Sequence, residues 1–156
     1  MTGWQVVSMQ VNDELAQKLE DGVKTINDQH KKLLDFANAM FAQCAGNEEE
    51  ENHYFGESIE GVVQLLAAHF QTEEDLMAET KFDMYEFVSH KKEHGEFVIT
   101  VAEYIKKFQV TGYIDLLTFS SYAKWWLVGH IKRYDRKYVD YFNKITEGRG
   151  IQRMRV

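Results

Sequence analysis

Seven side chains that a protein core ordinarily rejects fall on the core-facing positions of four helical segments. They are His30; His69 with Glu73; His90 with His94; and His130 with Asp135. His69/Glu73 and His90/His94 are i, i+4 pairs, so each pair projects from one helix face, one turn apart. A polar or charged side chain in an apolar interior costs several kcal/mol unless it finds a partner. Imidazoles and carboxylates converging from four segments suit a first-row transition metal held in the middle of a helical bundle.

The apolar phase supports that placement. Ile26, His30, Leu33, Ala37, Met40 and Cys44 follow a 4-3-4-3-4 rhythm, which marks one face of a helix. Ile59, Val62, Leu66, His69, Glu73 and Leu76 keep a second stripe. Phe87, His90, His94, Phe97, Val101, Ile105 and Phe108 keep a third, and Leu116, Phe119, Ala123, Trp126 and His130 a fourth. The breaks fall at Gly46 with the run Asn47–Asn52, at Glu79–Asp83, and at Val110–Tyr113 around Gly112. The acidic stretch Glu48–Glu51 reads as a solvated loop. The chain has no proline, so nothing of that kind interrupts a long helix. Short connections predict an all-α, up-down-up-down four-helix bundle. The boundaries expected are an N-terminal arm over 1–21, the bundle over 22–145 and a basic tail over 146–156, frayed or leading into a linker. Trp4 is expected to pack the arm onto the bundle.

His130 and Asp135 are five residues apart, roughly 140° on an ideal helix. The stripe then resumes at Tyr138, Phe142 and Ile145. One residue too many between them predicts a π-type bulge, which concentrates at functional sites, or another local distortion; an uninterrupted helix with Asp135 pointing elsewhere is the alternative.

Composition narrows the function classes. The 156 residues fit one domain, and 44% apolar residues can fill a core. A net charge of −7 argues against nucleic acid and anionic membranes as partners. No apolar run reaches the ~18 residues of a membrane span, and the N-terminus lacks the layout of a secretion signal. One cysteine, Cys44, excludes an internal disulfide. A soluble, cytoplasmic protein is expected. Cys44, Phe97, Trp125, Tyr138, Met77 and Met84 read as packing residues, and His53 as a surface histidine. Glu50-x-x-His53 imitates the Glu-x-x-His pair of carboxylate-rich di-iron oxygenases but lies in the acidic stretch, away from the other ligands.

The stretches GVKTINDQHKKLL (Gly22–Leu34), HFQTEEDLM (His69–Met77), HKKEHGEF (His90–Phe97) and WWLVGHIKRYDRKY (Trp125–Tyr138) resemble the hemerythrin family in its bacterial form. The resemblance covers about Gly22 to Phe142, with residues 1–21 and 146–156 matching weakly. It implies a non-haem di-iron centre that binds O2 reversibly, for carriage, storage or sensing, with no catalytic residue. His90, His94 and His130 would hold one iron. His30 and His69 would hold the other, which keeps an open position for O2. Glu73, Asp135 and a solvent-derived oxygen would bridge the two. Leu33, Phe70, Trp126, Leu127 and Ile131 would wall the O2 pocket around the open iron. The chain departs from the family at Asn27, where Asp is common, which bears on a hydrogen bond behind the ligands, and at Phe82-Asp83, where Tyr-Pro is frequent. A di-iron redox enzyme acting on peroxide or nitric oxide, and a metal-binding interaction module, are the alternatives. A redox or signalling partner is compatible with either the sensor or the enzyme reading.

Overall fold

The computed structural model describes residues 12–156; Trp4 lies outside them. Among the described residues the architecture is an all-α four-helix bundle. The helices are α1 (Asp13–Ala42), α2 (Glu48–Glu79), α3 (Met84–Thr111) and a fourth rod. That rod is α4 (Leu116–His130), a π-helical turn (Ile131–Asp135) and α5 (Arg136–Ile145). α1 packs against α2 and α4, α2 against α3, and α3 against α4, the circuit of an antiparallel bundle joined by short connections. The slip in phase after His130 is therefore absorbed by one widened turn.

Each rod begins on an Asn or Asp that caps it. Asn12, Asn47, Asp83 and Asp115 accept from the backbone N–H of Leu15, Glu50, Glu86 and Thr118 at 2.8–3.0 Å, satisfying a donor that the helix leaves orphaned. Glu48–Glu51 is consequently not a loop but the first turn of α2. The positive end of the helix dipole favours acidic side chains there. Gly112, at φ 69°, closes α3 in the left-handed conformation, which glycine adopts without steric cost.

Neither end of the bundle stops where the sequence stripes suggest. Residues 13–21 are helical and belong to α1, with Leu19 wholly buried. Leu15, Leu19, Val23 and Ile26 extend the apolar stripe backwards at 4-4-3 spacing. Beyond α5 the chain turns through Gly148 and Gly150, both at positive φ, and folds back. Met154 is buried among Leu19, Val23 and Phe142. Asn143 donates its amide to the Met154 carbonyl and accepts from the Met154 N–H, at 3.1 and 2.8 Å. Asn27 grips the neighbouring peptides in the same way, through the Arg153 carbonyl and the Arg155 N–H.

Two apolar clusters fill the bundle, one at each end, and the seven polar side chains form the layer between them. Trp125 and Met84 do not pack as expected: they are 66% and 69% exposed. Trp125 sits one residue, or about 100°, from the buried Trp126, and Met84 is the first residue of α3. No helix among the described residues is long and apolar enough to cross a membrane.

Candidate metal centre

All seven predicted side chains meet in the buried layer, each at most 5% exposed. They divide into two groups. In one, His30 Nε2 and His69 Nε2 lie 3.2 and 3.0 Å from Glu73 Oε1, and His30 Nε2 lies 3.1 Å from Asp135 Oδ2. In the other, His90 Nε2 and His94 Nε2 lie 3.4 and 3.2 Å from Glu73 Oε2. There, His90 and His130 both lie 3.0 Å from Asp135 Oδ1, and His94 Nε2 lies 3.0 Å from His130 Nε2. Each carboxylate thus turns one oxygen to each group. The first group has four donors and the second five.

His30 Nε2 pairs with Glu73 Oε1 and His94 Nε2 with His130 Nε2, but several of these atoms converge without pairing. Glu73 Oε2, His90 Nε2 and both oxygens of Asp135 are buried and lack a hydrogen-bond partner, although neighbours stand 3.0–3.4 Å away. Their lone pairs are aimed at shared space rather than at one another. Bonds of ~2.1 Å from one ion to two donors at right angles would separate those donors by about 3 Å. Buried polar atoms left unpaired carry a heavy cost, which a cation in each group removes. The residues present fit two metal ions.

The electrostatics agree. Burial pushes the His30 and His90 imidazoles down, but the Asp135 and Glu73 carboxylates beside them prevail and hold them up at about 10 and about 9. Burial also pushes both carboxylates up, and at Asp135 the nearby Glu73 charge adds to it. The surrounding imidazoles overcome this and keep Glu73 and Asp135 well below the usual carboxylate range. His130 is lowered, by burial first and by the His90 and His94 charges as well. A layer so eager to retain cations would take protons where it has no metal.

Outer contacts orient the rings. His69 Nδ1 donates to the buried Gln29 Oε1 at 3.0 Å, and His94 Nδ1 donates to Glu74 Oε1 at 3.3 Å. Such partners fix the tautomer that leaves Nε2 free for a metal. Sequence reasoning had not singled out either residue; each adjoins a ligand in the chain, which is the only local signal. Asn27, where the chain departs from the family's common Asp, bonds the C-terminal segment rather than a ligand. An amide there can donate and accept at once, which a carboxylate cannot.

Leu33, Phe70, Trp126, Leu127 and Ile131 are buried together in the cluster on one side of the layer. Phe70 stacks on His94 at 3.9 Å between centroids, and Trp126 on His130 at 4.5 Å. Both rings therefore face the five-donor group, while Leu33 is one turn from His30 in the four-donor group. Tyr134, within the π turn, stacks on His130 at 5.4 Å and meets His90 edge-on. Tyr134 is an i, i+4 neighbour of His130, a spacing that places the two on one helix face. His53 is exposed on α2. Cys44 is partly buried, 3.4 Å from Ser120 Oγ.

The family model for the hemerythrin HHE cation binding domain matches residues 21–142. The chain belongs to the hemerythrin family. The bacteriohemerythrin of Pseudomonas paraeruginosa is 32% identical over 123 residues, 78% of this chain and 76% of the relative. The bacteriohemerythrin of Methylococcus capsulatus is 29% identical over 72% of this chain and 82% of its own length. A hemerythrin-like protein of Naegleria gruberi is 31% identical over 75% of this chain and 82% of its own. No solved structure matches the chain. The hemerythrin match covers all seven residues of the buried layer and ends before the folded-back C-terminal segment.

Proposed function

We propose that this hemerythrin-family chain binds O2 reversibly at a non-haem di-iron centre, for carriage, storage or sensing, and is not an enzyme. The observation that carries the reading is the unequal division of donors, five in one group and four in the other. Two like ions held by unequal sets leave one with a free position for an outside ligand. Two ferrous ions there, joined by a solvent-derived oxygen, would supply the electrons for O2 capture and take them back on release.

The chain's own residues do the rest. Glu73 and Asp135, each turning one oxygen to either group, would hold both ions and offset part of their charge. Gln29 and Glu74 hold His69 and His94 in the metal-binding tautomer. Leu33, Phe70, Trp126, Leu127 and Ile131 withhold water, and with it the protons that would promote oxidative loss of the ligand. Five imidazoles beside two carboxylates make an electron-poor set compared with carboxylate-rich oxygenase sites, which supports binding over substrate oxidation. A lone cysteine with no internal partner suits a reducing cytoplasm.

The test is metal analysis with optical spectra of the anaerobically reduced protein before and after air. The expected result is about two irons per chain, from two donor groups, and an absorption that appears with air and fades on deoxygenation. One zinc per chain, or no metal, overturns the reading. Prompt autoxidation with turnover of added peroxide favours an enzyme.

A further inference from the structure

Two adjacent tryptophans of α4 face different ways. Trp126 is buried and stacks on His130 of the metal layer, with ring centroids 4.5 Å apart and planes 10° from parallel. Trp125 is 66% exposed, yet it is tied to the interior through rings. Tyr122 lies 6.3 Å from Trp125 and 5.8 Å from Phe97, and Phe97 stacks on Trp126 at 3.9 Å. A series of aromatic contacts therefore joins the surface to a histidine of the layer, beside the direct peptide link from Trp125 to Trp126.

Trp125 forms one wall of an open groove of about 640 Å³ between α1 and the fourth rod, with Phe41, Lys124, Val128, Lys132 and Arg133 around it. None of the side chains lining it is acidic. The ion pairs that lysines make with carboxylates among the described residues use Lys18, Lys92 and Lys137, and leave Lys124, Lys132 and Arg133 without one. Lys124 stands 5.6 Å over the ring of Phe41. Arg133 Nε donates to the Gly129 carbonyl at 3.3 Å. A Cβ at Gly129 would stand 2.9 Å from Arg133 Nη2, so the glycine lets the guanidinium lie along the floor of the groove. The result is a positive, aromatic patch on a chain whose net charge is −7.

Exposed apolar surface rimmed by charge marks an interaction site. Trp, Phe and Arg are enriched at the centres of protein interfaces, and Trp and Arg dominate the binding energy there. The cations around Trp125 select an acidic partner. The net charge of the chain repels such a partner, so this face orients the encounter. Lys124, Lys132 and Arg133 fall short of the roughly 4–8 basic residues that mark a lipid-binding cluster.

We propose that the Trp125 groove is the docking surface for a small acidic one-electron carrier protein that returns oxidised iron in the metal layer to the ferrous state. That the layer holds iron rests on the function proposed above. Each encounter moves one electron: the carrier is oxidised and one ferric ion becomes ferrous, and a second encounter restores the other ion. Trp125 meets the carrier, and Trp126, stacked on His130, completes the path to the five-donor group. The electron crosses through bonded and stacked rings, so the apolar walls of the layer stay closed to water.

The experiment uses the iron-loaded full chain, oxidised to the ferric state, with plant-type [2Fe–2S] ferredoxin, an acidic one-electron carrier, as the probe. Stopped-flow absorption should show reduction by reduced ferredoxin that slows as salt is raised. Calorimetry with oxidised ferredoxin measures docking on its own. Lys124→Glu combined with Lys132→Glu should slow the reduction by about tenfold and weaken docking. Trp125→Ser should do the same, and Trp125→Phe, which keeps an aromatic ring, should recover most of both. Iron content, melting temperature and reduction by durohydroquinone, a small uncharged reductant that needs no docking surface, should be unchanged in every variant. Unchanged ferredoxin kinetics in the folded charge-reversed variant overturn the proposal, and so does docking that persists in it. Binding of the native protein to vesicles of anionic phospholipid, with no docking of ferredoxin, overturns it as well. Ferric protein that is reduced through this face, and takes up no O2 once ferrous, would keep the docking surface and remove the O2-binding reading.

Discussion

At the scale of single residues, Glu73 and Asp135 are distinguished from the other acids by facing two donor groups at once. Substituting either by alanine should lower iron from about two per chain to one or fewer and reduce the melting temperature, because metal binding and folding are linked. His53→Ala, on the exposed face of α2, should change neither. Full iron with unaltered melting in both acid variants would show that these carboxylates do not join the metals. Gln29 touches no metal position; it acts through the His69 ring. Gln29→Leu should weaken metal affinity by about 10–100-fold, and Gln29→Glu, which keeps an acceptor at the same place, should recover most of it. A chelator competition read by iron retention distinguishes this positioning role from general packing, which the leucine would preserve.

At the scale of elements, the close approach of α1 to α2 depends on a glycine. A Cβ at Gly22 would stand 2.6 and 2.9 Å from the Leu76 methyls, and Leu76 is buried among packed neighbours. Alanine gains up to ~1 kcal/mol in helix propensity. Overpacking costs about 1–3 kcal/mol, and the crowded position of Leu76 lets it prevail. Gly22→Ala should therefore lower the melting temperature by a few degrees; a rise would mean that Leu76 moves aside freely. The π turn illustrates a second property of elements. One extra residue between His130 and Asp135 brings both to the same layer, while α5 resumes with Tyr138 and Phe142 in the core.

At the scale of the molecule, the bundle is two apolar halves joined through a layer that needs cations. Without metal, protons on His30 and His90 serve in their place. Their pKa values in the folded chain, about 10 and about 9, lie above the ordinary 6.5. Their contribution to stability is thus full below pH 6.5 and is lost as pH rises through 9 to 10. His130, lowered by burial, opposes this in the acidic direction, its contribution fading as pH falls through 6.5. Glu73 and Asp135, held low, contribute above the usual carboxylate range and lose that contribution as pH falls through their own depressed values. The metal-free protein should consequently become easier to unfold with urea between pH 6.5 and 10, and the iron-loaded protein should not. Metal uptake near pH 7.5 should release about two protons per chain, measurable with an indicator dye in weak buffer. A metal-free protein whose urea midpoint is flat over that range would contradict the charge state described for the layer.

What the sequence by itself determined was local and periodic. Ligands on an apolar stripe are conspicuous because helical phase is a property of neighbours in the chain, and burial without a partner is too costly to be accidental. That reasoning brought His30, His69, Glu73, His90, His94, His130 and Asp135 to one level, and the five-residue step from His130 to Asp135 already implied the widened turn. Tertiary structure alone decided which carboxylate oxygen faces which group, that Gln29 and Glu74 reach across to His69 and His94, and that Trp125 turns outward while Trp126 turns in. It also decided the C-terminal segment, where Asn27 and Asn143 clasp peptides more than one hundred and more than ten residues away. A bond between helices depends on their relative rotation and axial stagger. Those are set by how whole faces pack, and no spacing within one helix encodes them.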